Sequence, residues 1–415
     1  MVTERTPGVR SIALGFGVLV GSRDESPEEA GLSHFLEHLL FKGTDRFSST
    51  EIDEIFDGMG AEINAGTGKE TTTVYSRFLD QHLDRAFDVM GDMVLRPTYP
   101  DIDSERQVVI EEIAMYEDEP SDKVHDVLDV AVFGDHPLGR PVIGRAEVIG
   151  SVPVPKIAAY HDARYAPTNL VISAAGNVEH DRIVELAKAA CASKLPSGTT
   201  ATASVREAAP DAGAPKLGFH QKETEQYHLC VGGRGIQRGD DRRFVLRVLD
   251  TILGGSTSSR LFQEVREKRG LAYSVYSYSS PYVDAGKIAI YVGTRPDNVG
   301  EALEVIGSEL RKLAQEGVTP EELTRAKENV KGRTVLSMES TMARMNRMLS
   351  GLLTGVPLLS IDEMIAAVDA VTSEQISELV ADLYRPEGMC VAGVGVDEDV
   401  FRKAAAAVNP ELLAA

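Results

Sequence analysis

Two histidines and one glutamate within five residues are the sharpest chemical feature of the sequence. His34, Glu37 and His38 follow the pattern His-x-x-Glu-His. Side chains at i and i+4 lie on one face of a helix, so both imidazoles can reach a single ion. Neutral imidazole is a preferred ligand of zinc, and a neighbouring carboxylate can act as general base towards water. The pattern predicts a metal site, and the alternative is an exposed polar helix face with two surface histidines.

The residues around this pattern predict a helix with one buried side. Apolar side chains recur at i, i+3, i+4, i+7 and i+8, which is the spacing of a broad apolar stripe. They are Leu32, Phe35, Leu36, Leu39 and Leu40. Because the stripe lies opposite the histidines, the helix can bury one face and present two imidazoles and a carboxylate on the other.

A second helix, predicted at 104–116, offers further carboxylates. Glu105 and Glu112 are seven residues apart and share a face of that helix, whereas Glu111 points elsewhere. One carboxylate on the shared face can complete a metal site, and the other can support a ligand by a hydrogen bond. Spacing alone does not identify Glu112 as a ligand, because paired glutamates on a helix are usually solvated.

The elements that would position these side chains fall into blocks of strands and blocks of helices. Strands are predicted by short β-branched and aromatic runs at 11–20, 71–78, 227–232, 272–279 and 287–293. Helices are predicted by apolar periodicity at 83–94, 104–116, 243–253, 299–315 and 320–338. Because strands and helices do not alternate strictly, we predict an α+β fold in which each half is a sheet with helices packed on one face.

A linker divides the chain into two parts of similar size. The residues from 196 onwards are rich in Ala, Thr, Pro and Gly and have no apolar periodicity. We assign residues 1–200 to a first domain, 201–216 to the linker and 217–415 to a second domain.

The two parts resemble each other. Each ends with a helix, a Tyr-x-Pro, an apolar strand and an Ala-rich helix, with the tyrosine at Tyr165 in one and Tyr384 in the other. We interpret this order as an internal duplication, with coincidence as the alternative because strand–turn–helix units are common. The stretch 247–255, which corresponds to the histidine helix, contains no histidine. The second part therefore cannot repeat the metal site.

The balance of charges excludes some partners. The 415 residues include 43 Lys+Arg and 64 Asp+Glu, which gives a net charge of −21. Such a surface repels phosphate backbones and anionic lipid, so we expect neither nucleic-acid nor membrane partners. Cationic partners are favoured, and a simple adaptation for solubility is the alternative.

The cysteines and the N-terminus indicate the compartment. The three cysteines lack any C-x-x-C spacing and are too few for a disulfide framework, which fits a reducing cytoplasm. The residues after Met1 show no basic-then-apolar signal. No apolar run reaches the ~18 residues that a membrane span needs. We expect a soluble cytoplasmic protein.

At this point the sequence resembles a known family. The stretch Gly21–Thr44 is similar to the zinc-site region of the pitrilysin/insulinase metallopeptidases, the inverted zincins, and within them to the bacterial and mitochondrial processing-peptidase branch. The resemblance extends over nearly the whole chain, through segments at 60–65, 105–113, 136–139, 258–262 and 269–273. It departs at the start, where the first strand is cut to 1–4, so we expect either a trimmed start or a weakened sheet edge.

The resemblance implies roles for the residues of the two helices. His34, His38 and Glu112 match the zinc ligands of the family, and Glu37 matches its general base. Glu105 matches a glutamate that supports the ligands. These assignments imply a Zn²⁺ cofactor and peptide-bond hydrolysis.

The resemblance also implies residues that contact the substrate. Asn64 and Ala65 match a segment that binds the substrate main chain along an edge strand, where backbone hydrogen bonds give affinity with little demand on sequence. Arg266 and Tyr273 match a pair that acts on the scissile carbonyl, where a guanidinium and a phenol could stabilise developing negative charge. The alternatives are that Asn64 is a turn residue, that Arg266 is a surface arginine and that Tyr273 is a tyrosine in a core strand.

Relatives of this kind enclose the substrate in a clamshell of four domains, each a mainly antiparallel sheet with helices on one face. This chain supplies two such domains, which implies a homodimer, or a heterodimer with an inactive homologue, in which Arg266 and Tyr273 act in trans. We therefore expect a zinc-dependent endopeptidase for unfolded or short peptides, with a preference for basic ones. The alternative is a partner-dependent or non-catalytic scaffold subunit, and a metal-storage module is weaker.

Overall fold

Ten strands form two five-stranded sheets within residues 1–194, 206–209 and 213–413, which this computed structural model of the chain describes. The strands are β1 (Val2–Arg5), β2 (Ser11–Val18), β3 (Glu62–Thr67), β4 (Thr72–Leu79), β5 (Leu170–Gly176), β6 (Leu217–Gln221), β7 (Tyr227–Gly235), β8 (Ala272–Pro281), β9 (Gly286–Thr294) and β10 (Cys390–Gly395). Of the predicted linker at 201–216, only 206–209 and 213–216 belong to the described residues.

The two sheets share one topology. The first has the strand order β1-β5-β2-β4-β3 and the second has the order β6-β10-β7-β9-β8. In each sheet the outermost strand on one side pairs in parallel, β1 with β5 and β6 with β10, and the other neighbours are antiparallel. The prediction of an α+β fold with two mainly antiparallel sheets is confirmed, and the repeated strand order supports an internal duplication.

Fifteen α-helices lie within the described residues. They are α1 (Leu32–Leu39), α2 (Ser49–Gly58), α3 (Leu83–Leu95), α4 (Ile102–Asp118), α5 (Pro120–Phe133), α6 (Ala146–Ser151), α7 (Val154–Arg164), α8 (His180–Lys194), α9 (Arg243–Leu253), α10 (Val299–Glu316), α11 (Pro320–Ser337), α12 (Thr341–Thr354), α13 (Ile361–Asp369), α14 (Ser373–Leu383) and α15 (Glu398–Ala405). In the described part of the chain, no helix combines the length and the apolar character that crossing a bilayer requires.

Contacts divide the chain into two units that differ from the sequential halves in two helices. The first unit comprises Met1–Ala114, Arg140–Arg206 and Leu336–Leu358, and the second comprises Met115–Gly139, Glu207–Val335 and Leu359–Ala415. Helix α12 therefore belongs to the first unit and α5 to the second, although each comes from the other half of the sequence.

In the first unit, the alternation of side chains along β2 sends two kinds of residue to the two faces of the sheet. Ile12, Leu14 and Phe16 are buried in the core that includes α1 and α3. Gly15 and Gly17 lie on the opposite face, against α12. A Cβ atom at Gly15 would lie 2.4 Å from Met345 Sδ and one at Gly17 would lie 2.5 Å from Leu353 Cδ1, so glycine lets the helix approach closely. A helical layer covers one face, as predicted, and one further helix covers the other.

The second unit repeats this arrangement with different side chains. Leu229 and Val231 of β7 are buried in the main core. On the opposite face, Cys230 packs with Val124 and Leu128 of α5. A Cβ atom at Gly232 would lie 2.9 Å from Leu128 Cδ2. In both units, then, small residues on the central strand accept a helix from the other half of the sequence.

Candidate metal centre

The predicted histidine helix is α1, and it is amphipathic in the predicted way. Leu32, Phe35, Leu36 and Leu39 are fully buried. The apolar stripe therefore fixes the rotation of the helix about its own axis. That rotation places His34, Glu37 and His38 on the opposite side, where all three are half-buried.

Helix α4 brings a carboxylate to both imidazoles. Glu112 Oε2 lies 3.2 Å from His38 Nε2 and 3.6 Å from His34 Nε2. One potential ligand atom from each of the three residues lies within 4.8 Å of the other two. The structure thus brings together the three residues that were predicted as zinc ligands.

The donor atoms of these three residues fit a zinc ion. Burial, with the charge of His38 as a smaller cause, lowers the pKa of His34 to about 4, so that imidazole is neutral near pH 7. Glu112 Oε2 is buried and receives no hydrogen bond from the described residues. A buried carboxylate oxygen is costly unless a donor or a cation compensates it. Two imidazoles and one carboxylate are a ligand set typical of catalytic zinc, which keeps a fourth position open.

Glu105, on the same face of α4 as Glu112, orients one of the imidazoles. His38 Nδ1 donates a hydrogen bond to Glu105 Oε1 at 2.8 Å, so in the neutral imidazole Nε2, which faces Glu112, carries the lone pair. Lys42 Nζ lies 2.7 Å from the other oxygen of the Glu105 carboxylate, which is itself buried. The structure thus places Glu105 beside His38, and its supporting role stays a prediction.

The carboxylate of Glu37 is held by a residue that the sequence reasoning missed. Thr67 Oγ1 donates a hydrogen bond of 2.5 Å to Glu37 Oε2. Burial raises the pKa of Glu37, and the Thr67 bond acts in the opposite direction. Side chains alternate between the two faces of a strand, and Ile63, Ala65 and Thr67 form the more buried side of β3. This alternation is the sequence feature that could have pointed to Thr67.

β3 is an edge strand, since it pairs with β4 and ends the sheet order. Ala65 N–H donates to the side-chain oxygen of its neighbour Asn64 at 2.8 Å. This main-chain donor therefore points away from β4, along the free edge. Asn64 and Ala65 thus lie on the outermost strand of the first sheet.

Arg266 and Tyr273 lie together in the second unit. Arg266 belongs to a turn of π-helix at Phe262–Glu267, a geometry that is frequent at functional sites. Its guanidinium stacks 4.5 Å from the ring centre of Tyr273 and 4.7 Å from that of Phe262. Tyr273 is 81% exposed, at an irregularity in the register of β8, so it is not a core tyrosine.

Two family models of known proteins match this chain. The family described as "Insulinase (Peptidase family M16)" matches residues 1–146. The family described as "Peptidase M16 inactive domain" matches residues 151–330.

Curated relatives match along nearly the full length. An uncharacterized zinc protease of Streptomyces coelicolor is 42% identical over 411 residues, which cover 97% of this chain and 89% of the relative. The uncharacterized zinc protease YmxG of Bacillus subtilis is 42% identical over 392 residues, which cover 92% of this chain and 93% of the relative. The solved structure of a protease from Helicobacter pylori has a TM-score of 0.90 at 21% identity and covers 95% of this chain and 96% of that one, a likeness of fold.

The fit of the donor set gives a testable expectation. Replacing Glu112 by Gln removes the anionic oxygen between the imidazoles, so zinc affinity should fall by more than the 10–100-fold that loss of an outer partner typically costs. Competition with a chromogenic chelator measures this affinity. Glu111→Gln, a substitution of the exposed neighbour, is the control and should bind like the wild type. Equal affinity for both variants would contradict the assignment of Glu112.

Proposed function

The chain belongs to the insulinase family of peptidases (M16), and from that premise we propose that it is a zinc-dependent endopeptidase for unfolded or short peptides. The observation that carries the proposal is the convergence of His34, His38 and Glu112 beside a half-buried Glu37. A metal-storage role would favour a closed site, whereas three protein ligands leave a position for water.

The proposed chemistry divides between the metal and Glu37. Zinc, when bound by His34, His38 and Glu112, would acidify water and polarise the scissile carbonyl. Glu37 accepts the Thr67 hydroxyl at Oε2, and its other oxygen, Oε1, would take a proton from the attacking water. Burial makes this carboxylate more basic than an exposed one. Glu37 then returns the proton to the nitrogen of the leaving amine.

The proposed substrate binding uses main-chain groups. The free edge of β3 can pair with any extended peptide, which favours unfolded chains over folded proteins. The half-buried Arg266 and the exposed Tyr273 offer N–H and O–H donors for a carbonyl oxygen that gains negative charge. The net charge of −21 supports a preference for basic peptides.

We further propose that the working form is a dimer in the cytoplasm. A homodimer would supply the four domains of a clamshell chamber, and a heterodimer with an inactive homologue is the alternative. The buried Cys230 and Cys390 form no disulfide, which supports a reducing compartment.

Glu37→Gln tests the proposed activity. The zinc-loaded wild type should cleave unstructured peptides, and the variant should lose about 10²-fold or more of kcat because it cannot accept the proton. Fragments are measured by mass spectrometry and bound zinc is measured on the same samples. Zinc content should be unchanged, and Glu54→Gln on the exposed side of α2 should behave like the wild type.

Two outcomes would count against a self-sufficient enzyme. Unchanged hydrolysis by Glu37→Gln would contradict the assignment of Glu37 as general base. Hydrolysis that occurs only after addition of a co-purified homologue would favour the partner-dependent subunit.

Thr67→Val tests the positioning of Glu37. Loss of a hydrogen bond to a charged group should lower kcat about tenfold or more, with KM nearly unchanged. Since this bond opposes the burial-induced rise in the pKa of Glu37, its loss raises that pKa further. Activity should therefore be lost at a higher pH during acidification. Thr67→Ser keeps the hydroxyl and should restore the wild-type pH profile; a profile shared by Thr67→Val and the wild type would contradict the role.

Mixing two inactive variants tests whether Arg266 acts in trans. In a heterodimer, one chain carries Glu37→Gln and the other carries Arg266→Ala. If Arg266 acts in trans, one of the two active sites combines the intact Glu37 of one chain with the intact Arg266 of its partner. Random reassortment of a two-fold dimer should then restore about a quarter of the wild-type activity. If Arg266 acts in cis, every site lacks one of the two residues and the mixture should stay inactive.

A further inference from the structure

Helix α1 is short and begins without a capping side chain of its own. It has eight residues, and Gly31 precedes it with a φ of 97° and no side-chain oxygen to offer. A Cβ atom at Gly31 would lie 2.8 Å from Gly144 Cα, so no larger residue fits there. The first N–H groups of a helix need outside partners, and isolated helices of this length are marginal.

The missing partner is Glu25, which lies six residues before Gly31. Its Oε2 accepts the N–H of Gly31 at 2.8 Å and its Oε1 accepts the N–H of Ser33 at 2.7 Å. The side chain is buried, with Glu25 only 5% exposed. Both oxygens of one carboxylate are thus used by the main chain where the histidine helix begins. Negative charge at a helix N-terminus also interacts favourably with the helix dipole.

The loop that carries Glu25 is itself fixed to the end of β3. Arg23 N–H donates to Lys69 O at 2.8 Å, and the Arg23 guanidinium donates to Glu70 Oε1 at 2.9 Å. Arg23 and Glu70 are each 3% exposed. The turn that contains Lys69 and Glu70 directly follows Thr67, the residue that binds Glu37. One fixed loop therefore holds both the start of α1 and the strand that orients Glu37.

We propose that Glu25 is a positioning residue of the metal centre: it fixes where α1 begins, and so directs His34 and His38 towards Glu112. Ser33, whose N–H it accepts, directly precedes His34. A helix that started one residue later, or frayed at its first turn, would move His34 before any other member of the site. The inference rests on the metal centre of the proposed function, and it adds to that centre a residue that touches neither metal nor substrate.

The surroundings of Glu25 tie its charge to the helix. Burial raises the pKa of Glu25 to about 7, while the N–H bonds from Ser33 and Gly31 and the charge of Arg140 oppose this rise. Arg140 also donates to the main-chain oxygen of Glu25 at 2.9 Å, and Tyr160 pairs with the Ser33 hydroxyl at 2.8 Å. The N–H groups that α1 presents favour the charged form of this carboxylate, and the carboxylate in turn fixes the start of α1 by accepting them.

Glu25→Gln is the decisive substitution, because it keeps the shape but turns an NH₂ group towards one of the two N–H donors. Zinc affinity of the purified apo-protein is measured by competition with a chromogenic chelator, alongside far-UV circular dichroism and thermal unfolding. We expect affinity to fall about tenfold or more while cooperative unfolding is retained. Glu29→Gln is the matched control, since Glu29 accepts an N–H from Ser26 on the neighbouring turn and makes no such bond to α1. It should bind zinc like the wild type.

Two results would overturn the proposal. The first is wild-type zinc affinity in a folded Glu25→Gln protein. The second is failure of both Glu25→Gln and Glu25→Asp to fold, which would make Glu25 a residue of the whole fold instead of the site. Because the readout is zinc affinity, a wild-type protein that binds zinc but cleaves no peptide would refute the proposed activity and leave this comparison intact.

Discussion

The metal centre depends on one constraint: a buried carboxylate oxygen of Glu112 has to stay between two imidazoles without a hydrogen bond from the described residues. Such an arrangement is unfavourable unless a cation occupies it. The surrounding protein must therefore hold the three side chains together. α1 does so with a fully buried apolar stripe. α4 does so with two carboxylates, since Glu105 bonds one nitrogen of His38 and Glu112 lies beside the other.

Three hydrogen-bonding residues on different elements orient the side chains of this centre. Glu105 fixes the tautomer of His38 from α4, Thr67 fixes one oxygen of Glu37 from the sheet edge, and Glu25 receives the N–H groups at the start of α1. Asp24, next to Glu25, is held in turn by two hydrogen bonds from Arg206, of 2.9 and 2.8 Å. Catalytic groups on rigid elements with supporting contacts keep their geometry better than groups on loops. The precision of the site therefore resides in these outer contacts as much as in the histidines.

The sequence predicted the parts of this site that depend on helical periodicity. The His-x-x-Glu-His face, the apolar stripe and the shared face of Glu105 and Glu112 follow from side-chain direction on a helix, which is local. Thr67 and Glu25 could not be predicted in this way, because their roles depend on tertiary contacts. Thr67 bonds a residue 30 positions away along the chain, and Glu25 bonds one 8 positions away. The strands and long helices were predicted for the same local reasons. The placement of α5 and α12 on the sheet of the opposite half was not, because glycines and small residues on β2 and β7 reveal a docking face only once the sheet exists.

The repeated topology explains how one chain can carry two different sets of candidate site residues. Both sheets end in an edge strand at the same topological position, β3 in the first and β8 in the second. Edge strands leave main-chain groups unpaired, which makes them natural places to receive an extended peptide. On β3 that position carries Asn64, Ala65 and Thr67 beside the histidine helix, while β8 carries Tyr273, stacked with the arginine that precedes the strand. In the second half the stretch corresponding to the histidine helix lacks histidine, and its helix, α9, is largely buried. Two sheets of one topology therefore place the histidine helix beside one edge strand, and the stacked Arg266 and Tyr273 at the other.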